Sequence, residues 1–342
     1  MSTEDRLRER AQRAIEEKVF PGCVIGIVRA NDQREVLPFG YLAYESDAPE
    51  VSANTIYDLA SITKSIPTAS LALLFAAADP PRLNLGGRVV QYLPEFQNDH
   101  GATIEDLLRY RVRGPRMSEL RYKTFEEIRT HIFEHGFDGP PGDPAYTNLP
   151  AFLLGIILER VGGEILPALA HRYFFEPLKM NDTTFFPAAP DTSNSTGRQS
   201  VMRFDFRVAP TEIVCGVEVR GIVHDESARM FAKRRRAVGH AGLFSTAPDL
   251  LNFLEAVLKG EMGSVREGAE RGLGWQVSEE WMGKGRSAKS FGKTGFTGTS
   301  IVCDTEQSIG FVILSNRTYP HRPPDTSAIN SFRADIAGII FR

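Results

Sequence analysis

Cysteine is scarce in this 342-residue chain: Cys23, Cys215 and Cys303 stand far apart, with no Cys-x-x-Cys spacing. That pattern argues against a disulfide framework and a zinc module, and it makes a reducing compartment the default. An excess of charge is missing too. A formal net charge of −3 carries no general footprint for nucleic acid or a membrane surface. The apolar segment Ile66 to Ala78 is too short to span a bilayer. Met1 to Lys18 is charged and amphipathic without an apolar core, so no secretory signal is expected and a cytoplasmic location follows; a periplasmic one would need a leader already removed. Internal repeats and flexible linkers are absent. What remains is a chain with 42% apolar content, able to bury a large core and expected to form one domain over residues 1–342.

Periodicity divides that domain. Leu7, Ala11, Ala14 and Ile15 form a helical stripe ended by Phe20-Pro-Gly22. Cys23 to Arg29 and Glu35 to Tyr41 then read as paired strands, with Pro38 marking an edge or a bulge. From Ser61 to about residue 175 helical signals dominate. Thr103-Ile-Glu-Asp106 and Thr124-Phe-Glu-Glu127 look like capping boxes. Asn148-Leu-Pro150 starts a helix through Arg160, closed by Gly162-Gly163, and another follows from Glu164. Residues 181–239 hold no steady period and read as a loop-rich excursion with small strands. Thr246-Ala-Pro-Asp249 forms a further capping box, opening a helix through Leu258. Strands return at Gly272 to Val277, Ser290 to Gly295, Thr299 to Asp304 and Ser308 to Ser315, before a last helix from about Thr326 to Ile340. The expected architecture is α/β (α+β): an antiparallel sheet built from both chain ends, residues 1–60 and 240–342, with flanking helices and an inserted all-helical lobe, residues 61–180.

The stretch Tyr57-Asp-Leu-Ala-Ser-Ile-Thr-Lys64 leads into the apolar segment and reads as a loop opening a buried helix. Ser61 and Lys64, three residues apart, then share one helical face. First-turn N–H groups lack intrahelical partners and carry partial positive charge, which favours a developing oxyanion. A serine can thus become a nucleophile without histidine. Ser-x-x-Lys is a weak signal alone, and Ser290-Phe-Gly-Lys293 is a second match. Two other elements can serve as partners. Tyr146-Thr-Asn148 follows the turn-rich Pro140-Pro-Gly-Asp-Pro144 and precedes a helix, where side chains can face a cleft. Alone, it reads better as a buried tyrosine and a helix cap. Lys293-Thr-Gly295 lies in a strand flanked by Gly292 and Gly298, which would let a substrate backbone approach; alone, it is an edge strand guarded by a lysine.

Together, Ser61-x-x-Lys64, Tyr146-x-Asn148 and Lys293-Thr-Gly295, in that order, resemble the three active-site motifs of the serine β-lactamase and penicillin-binding-protein superfamily, closest to its class C β-lactamase, D-alanyl-D-alanine peptidase and family VIII-type esterase branch. Glu176-Pro-Leu-Lys-Met180, Gly239-His-Ala-Gly-Leu-Phe-Ser-Thr-Ala247 and Gly295-Phe-Thr-Gly-Thr299 extend the resemblance over nearly the whole chain. It implies a β-lactamase-like fold and a serine hydrolase that cleaves an ester or β-lactam-like amide through an acyl-enzyme. Ser61 would be the nucleophile. Lys64 and Tyr146 would share proton transfer, in an order left open. Asn148, Lys293, Thr294 and Gly295 would hold the substrate, and the N–H groups of Ser61 and Phe296 would form the oxyanion hole. No metal or cofactor is needed. The alternatives are a penicillin-binding peptidase-like protein and a non-catalytic scaffold.

The chain departs from the family pattern in places. Pro67 would distort the nucleophile helix. Arg109-Tyr-Arg-Val-Arg-Gly-Pro-Arg116 stands where relatives have a Thr-Ser-Gly turn, and Lys233-Arg-Arg-Arg236 is a second basic run; both could border the cleft or be solvated loops. Lys293, where many family esterases carry histidine or tryptophan, points to carboxylate-bearing substrates. His224 and His240 read as loop histidines outside the catalytic set.

Overall fold

The computed structural model describes residues 1–120, 123–190, 202–204 and 206–342. The centre of the expected loop-rich excursion, 191–201, and position 205 lie outside the described residues. The chain opens with α1 (Thr3–Glu16), β1 (Gly22–Arg29), β2 (Arg34–Gly40) and β3 (Tyr57–Asp58). Helices follow: α2 (Ser70–Ala77), α3 (Val89–Tyr92), α4 (Ile104–Leu108), α5 (Phe125–His135), α6 (Leu149–Gly162) and α7 (Leu166–Ala170). Next come β4 (Ala188–Pro190), β5 (Met202–Phe204), β6 (Pro210–Val214), β7 (Val217–Arg220), α8 (Glu226–Ala232) and β8 (Phe244–Ser245). The remainder is α9 (Ala247–Leu258), α10 (Gly263–Glu270), β9 (Gln276–Val277), β10 (Ser290–Thr294), β11 (Ser300–Asp304), β12 (Ile309–Ser315) and α11 (Ser327–Ile340).

Six strands form one antiparallel sheet in the order β2-β1-β12-β11-β10-β9. The first and last parts of the chain meet at its centre, where β1 pairs with β12 in the register Ile25↔Ile313 and Ile27↔Phe311. Pro38 sits in β2, the outermost strand, where a missing N–H costs no ladder bond. Successive side chains of β1 face opposite ways. Val24 and Val28 join the large core shared with the helical lobe, while Cys23, Ile25 and Ile27 join a second core with Leu7 and Ala11 of α1 and Phe332 and Ile336 of α11. Covering both faces explains why these strands read as nearly continuous apolar runs rather than as alternating ones.

Some elements differ from the sequence reading. The excursion contains a helix, α8, whose N-cap Asp225 accepts from the Ala228 N–H; α10 was not anticipated either, and β9 is only Gln276–Val277. Thr246 caps α9 by accepting from the Asp249 N–H, but Asp249 turns away to accept from the Asp182 N–H and the Thr183 hydroxyl, so the box is half made. The expected helix from Ser61 is broken. Residues Ala60–Lys64 form a 3₁₀ turn, Ile66 is extended at φ −118° and ψ 115°, and regular α-helix begins only at Ser70. Pro67 is the cause: it lacks an N–H and its ring drives the preceding residue out of the helical region. The apolar stretch Ala60–Ala77 has the length and composition of a membrane span, yet 78% of it is buried inside the protein, as core rather than lipid-facing surface.

Candidate active site

The site begins at a constrained backbone. Ala60 has φ +47°, a left-handed conformation that costs a non-glycine residue about 1 kcal/mol or more. It is held there because its N–H donates to Asp58 Oδ1 at 2.8 Å, and Asp58 Oδ2 in turn accepts from the His224 N–H at 2.7 Å. The chain thereby turns sharply from β3 into the 3₁₀ turn and presents Ser61 half-exposed on one side. Lys64, 1% exposed, brings Nζ to 2.9 Å from Ser61 Oγ and donates to the His240 carbonyl at 2.8 Å. The spacing anticipated in the sequence therefore becomes a direct contact.

The stretch around His240 is clamped to the nucleophile segment by hydroxyls. Thr68 Oγ1 donates to the Gly239 carbonyl at 2.8 Å, and the Leu243 N–H donates to Thr63 Oγ1 at 3.1 Å. Gly239 permits this approach because a Cβ there would collide with the Ala151 carbonyl of α6. The His240 ring faces away, with Nε2 3.0 Å from Ser227 Oγ and 3.5 Å from Asp225 Oδ1, and burial favours its neutral form. His224 stacks on Phe296 at 5.7 Å. Neither imidazole hydrogen-bonds Ser61, Lys64 or Tyr146.

Tyr146 is 57% exposed and is not the buried tyrosine expected of the motif alone. Its ring lies 5.3 Å from Lys64 Nζ and 4.8 Å from Lys293 Nζ, within cation–π range of both amines. Asn148 precedes α6 without capping it by its side chain. Its Nδ2 donates instead to Asp225 Oδ2 at 3.1 Å, and this bond fixes which way the amide points.

Lys293 is 2% exposed. Burial first, and the nearby Lys64 charge second, push its ammonium down to about 7, with Glu279 opposing. Its hydrogen-bond partner is Tyr110 Oη at 3.3 Å, and the Tyr110 ring packs against Tyr146 at 5.2 Å between centroids, tilted by 42°. The sequence reading missed Tyr110. It lies inside the first basic run and 183 residues from Lys293, so no local spacing signals it. Backbone bonds place it: Ala145 N–H to the Tyr110 carbonyl at 2.7 Å and Gly142 N–H to the Arg111 carbonyl at 2.9 Å zip the run to the turn before Tyr146. The neighbouring arginines are engaged elsewhere, Arg109 with Glu105 and the Arg271 carbonyl, Arg111 with Asp106. In the second run, Arg235 lies over Phe186 and Arg236 over Phe125.

The end of β10 docks on the segment that carries Ser61. Thr297 Oγ1 donates to the Asp58 carbonyl at 2.6 Å and Thr299 Oγ1 to the Leu59 carbonyl at 3.1 Å. The Gly295 N–H is used by the Thr299 carbonyl at 2.8 Å, whereas the Phe296 N–H has no hydrogen-bond partner among the described residues. At Gly295 a Cβ would fall far inside contact of Thr299 Oγ1 and the Leu59 carbonyl. Gly295→Ala is thus expected to push this loop off the Ser61 segment, lowering kcat/KM by about 10²-fold or more and also lowering the melting temperature; steady-state kinetics alongside thermal denaturation check it.

A serine touching a lysine, an exposed tyrosine over two lysines, and a strand end packed on the serine's segment invite comparison with known proteins. A protein of Escherichia coli (strain K12) provisionally named D-alanyl-D-alanine carboxypeptidase is 28% identical over 326 residues, 80% of this chain and 71% of its own length. A β-lactamase/D-alanine carboxypeptidase from Pseudomonas syringae is similar in structure at TM-score 0.72 and 19% identity, covering 97% of this chain and 98% of its own. EstCE1, described as a hydrolase with promiscuous acyltransferase activity, is similar at TM-score 0.71 and 19% identity, covering 99% and 98% of the two chains. The family match itself runs from residue 7 to residue 334, so the chain belongs to the Beta-lactamase family.

Proposed function

We propose that this protein cleaves small carboxylic esters or amides, β-lactams included, through an acyl-enzyme on Ser61. Family membership makes it a serine hydrolase of ester or amide bonds; the division of labour among residues is our reading. The observation that carries it is the 2.9 Å separation of Lys64 Nζ and Ser61 Oγ. Ser61 Oγ yields its proton to the unit formed by Lys64 and Tyr146 and attacks the carbonyl carbon. The tetrahedral oxyanion is received by the N–H groups of Ser61 and Phe296. The C–O or C–N bond breaks as the leaving group takes up the proton, and water then releases the acid by the same steps in reverse. Asn148 and Thr294 line the acyl side. The test is intact-mass spectrometry after exposure to a penicillin and to a p-nitrophenyl ester. An adduct on Ser61, or turnover, supports the reading; silence toward both would make the protein a non-catalytic scaffold.

The substrate class we propose bears a carboxylate. Lys293, at the site and without a carboxylate partner within salt-bridge distance among the described residues, supports this, as do the relatives named for D-alanine-ended substrates. Part of the charge of the basic runs is engaged elsewhere, because Arg109 and Arg111 pair with acids and Arg235 and Arg236 lie on aromatic rings. A pH dependence follows. With the ammonium at about 7, the free enzyme holds Lys293 charged below that pH and loses the charge above it. The ratio of kcat/KM for a carboxylate-bearing ester over its neutral match is expected to fall several-fold between about pH 6 and pH 8, since kcat/KM reports ionisation of the free enzyme. Lys293→Met should flatten the ratio; a pH-independent ratio in the parent would reject Lys293 as the carboxylate contact.

A further inference from the structure

A peptide group is planar and trans, so the carbonyl of Gly295 and the N–H of Phe296 are two ends of one rigid unit pointing in opposite directions. The N–H end is the oxyanion donor of the reading above, on which this inference rests. The carbonyl end is held by a buried arginine. Arg333 of α11, 3% exposed, donates from Nη2 to the Gly295 carbonyl at 3.1 Å and to the Thr299 carbonyl at 2.7 Å, and from Nη1 to Asn330 Oδ1 at 2.8 Å. The next carbonyl along, that of Phe296, accepts from Arg317 Nε at 2.9 Å. Arg317 is 4% exposed, bonds the Asp325 carbonyl through Nη1, and sets its guanidinium 5.0 Å from the Phe296 ring.

Neither guanidinium has a carboxylate within salt-bridge distance among the described residues, and Arg333 Nε and Arg317 Nη2 are buried without a partner. Burying cations away from an anion is costly; the Asp325 charge offsets part of this for Arg317, whereas the charge acting on Arg333 is the like charge of Arg317. Burial indeed pulls both groups down, Arg333 to about 9 with the Arg317 charge adding to the effect. A role as plain structural glue would be met by neutral donors. A cation at the carbonyl polarises the peptide and makes its N–H a stronger donor, and its field favours negative charge arising on the far side of that peptide.

We propose that Arg333, assisted by Arg317, is a positioning residue of the oxyanion hole: it fixes the Gly295–Phe296 peptide with its N–H toward Ser61 and supplies the positive charge that offsets the tetrahedral oxyanion. Positive charge there is stored in the fold and used only when the anion forms, so it acts on the transition state more than on the bound substrate.

The experiment compares the parent with Arg333→Met, Arg333→Lys and Arg317→Met. Active sites are counted with a fluorophosphonate label, and kcat and KM for a neutral p-nitrophenyl ester are taken per labelled site. Affinity for an arylboronic acid, whose tetrahedral adduct places an oxygen in the hole, is measured in parallel. Arg333→Met is expected to lower kcat by about 10²-fold with KM changed by less than about 3-fold, and to weaken the boronic acid by a similar factor. Arg333→Lys, which keeps the charge and one donor, should recover about 10-fold of the loss. If Arg333→Met does not fold, Arg333→Lys and Arg317→Met carry the test, each expected about 10-fold below the parent in both readouts. Folded variants that match the parent in per-site kcat and boronic acid affinity would overturn the proposal. A parent that forms no boronate adduct and takes up no label would overturn the acyl-enzyme reading beneath it, so the two failures are distinguishable.

Discussion

Ser61→Ala is expected to lose about 10⁶-fold in kcat toward every ester and lactam that the parent turns over, and to take up no fluorophosphonate or penicillin mass. Only Oγ is removed. The site around it survives, because Lys64 keeps its bond to the His240 carbonyl and the Ala60 turn keeps its bond to Asp58. The melting temperature should accordingly stay close to the parental value, with circular dichroism unchanged. Losing the Oγ···Nζ contact removes one partner of a buried lysine that retains another, so any destabilisation should be about 1 kcal/mol. Substantial turnover by this variant would reassign the nucleophile, with the second Ser-x-x-Lys serine, Ser290, excluded in advance: it is fully buried in β10 and donates to Asp304 Oδ2 at 2.6 Å.

The second large effect concerns the proton-transfer unit. Lys64→Ala and Tyr146→Phe are each expected to slow acylation by about 10²- to 10⁴-fold, while the double variant falls little below the worse single one. The reason is geometric. Lys64 Nζ touches Ser61 Oγ and lies 5.3 Å from the Tyr146 ring; under the mechanism proposed above both groups serve one proton, and residues acting as a unit are far from additive. Single-turnover acylation rates in a double-mutant cycle provide the measurement. Multiplicative losses would show that the two act on different steps. Tyr146→Phe keeps the ring over both lysines and removes only the hydroxyl, so the cycle separates proton transfer from the cation–π contact, which Tyr146→Ala would also remove.

Much of this fold could be read in advance for identifiable reasons. The capping boxes at Thr103 and Thr124 formed as written because both partners lie within one turn. The paired strands at the two chain ends were visible as apolar runs. Their union into one sheet followed from finding strand patterns at both ends and helical ones between them, and β1 pairs with β12 accordingly. The failures have identifiable causes as well. Helix α8 was missed because it is short, seven residues, and lies in a stretch without a steady period. The half-made box at Thr246 failed because Asp249 found tertiary partners in Asp182 and Thr183. There, local propensity lost to tertiary context.

Within the site, the sequence by itself determined what is local. Ser61 and Lys64 meet because residues three apart in a helical turn face the same way, and Pro67 breaks the helix beyond them through its own ring and missing N–H. The order of the three motifs was equally legible. Only the tertiary structure decided what surrounds them: Tyr110 on Lys293, Asp225 on Asn148, Arg333 on the Gly295 carbonyl. Each of these contacts joins residues from separate elements, and each depends on where a loop zips, how a helix packs, or how β10 ends against Leu59. Such contacts leave no period and no spacing in the chain, because their geometry is fixed by the packing of whole elements rather than by the turn of a few residues.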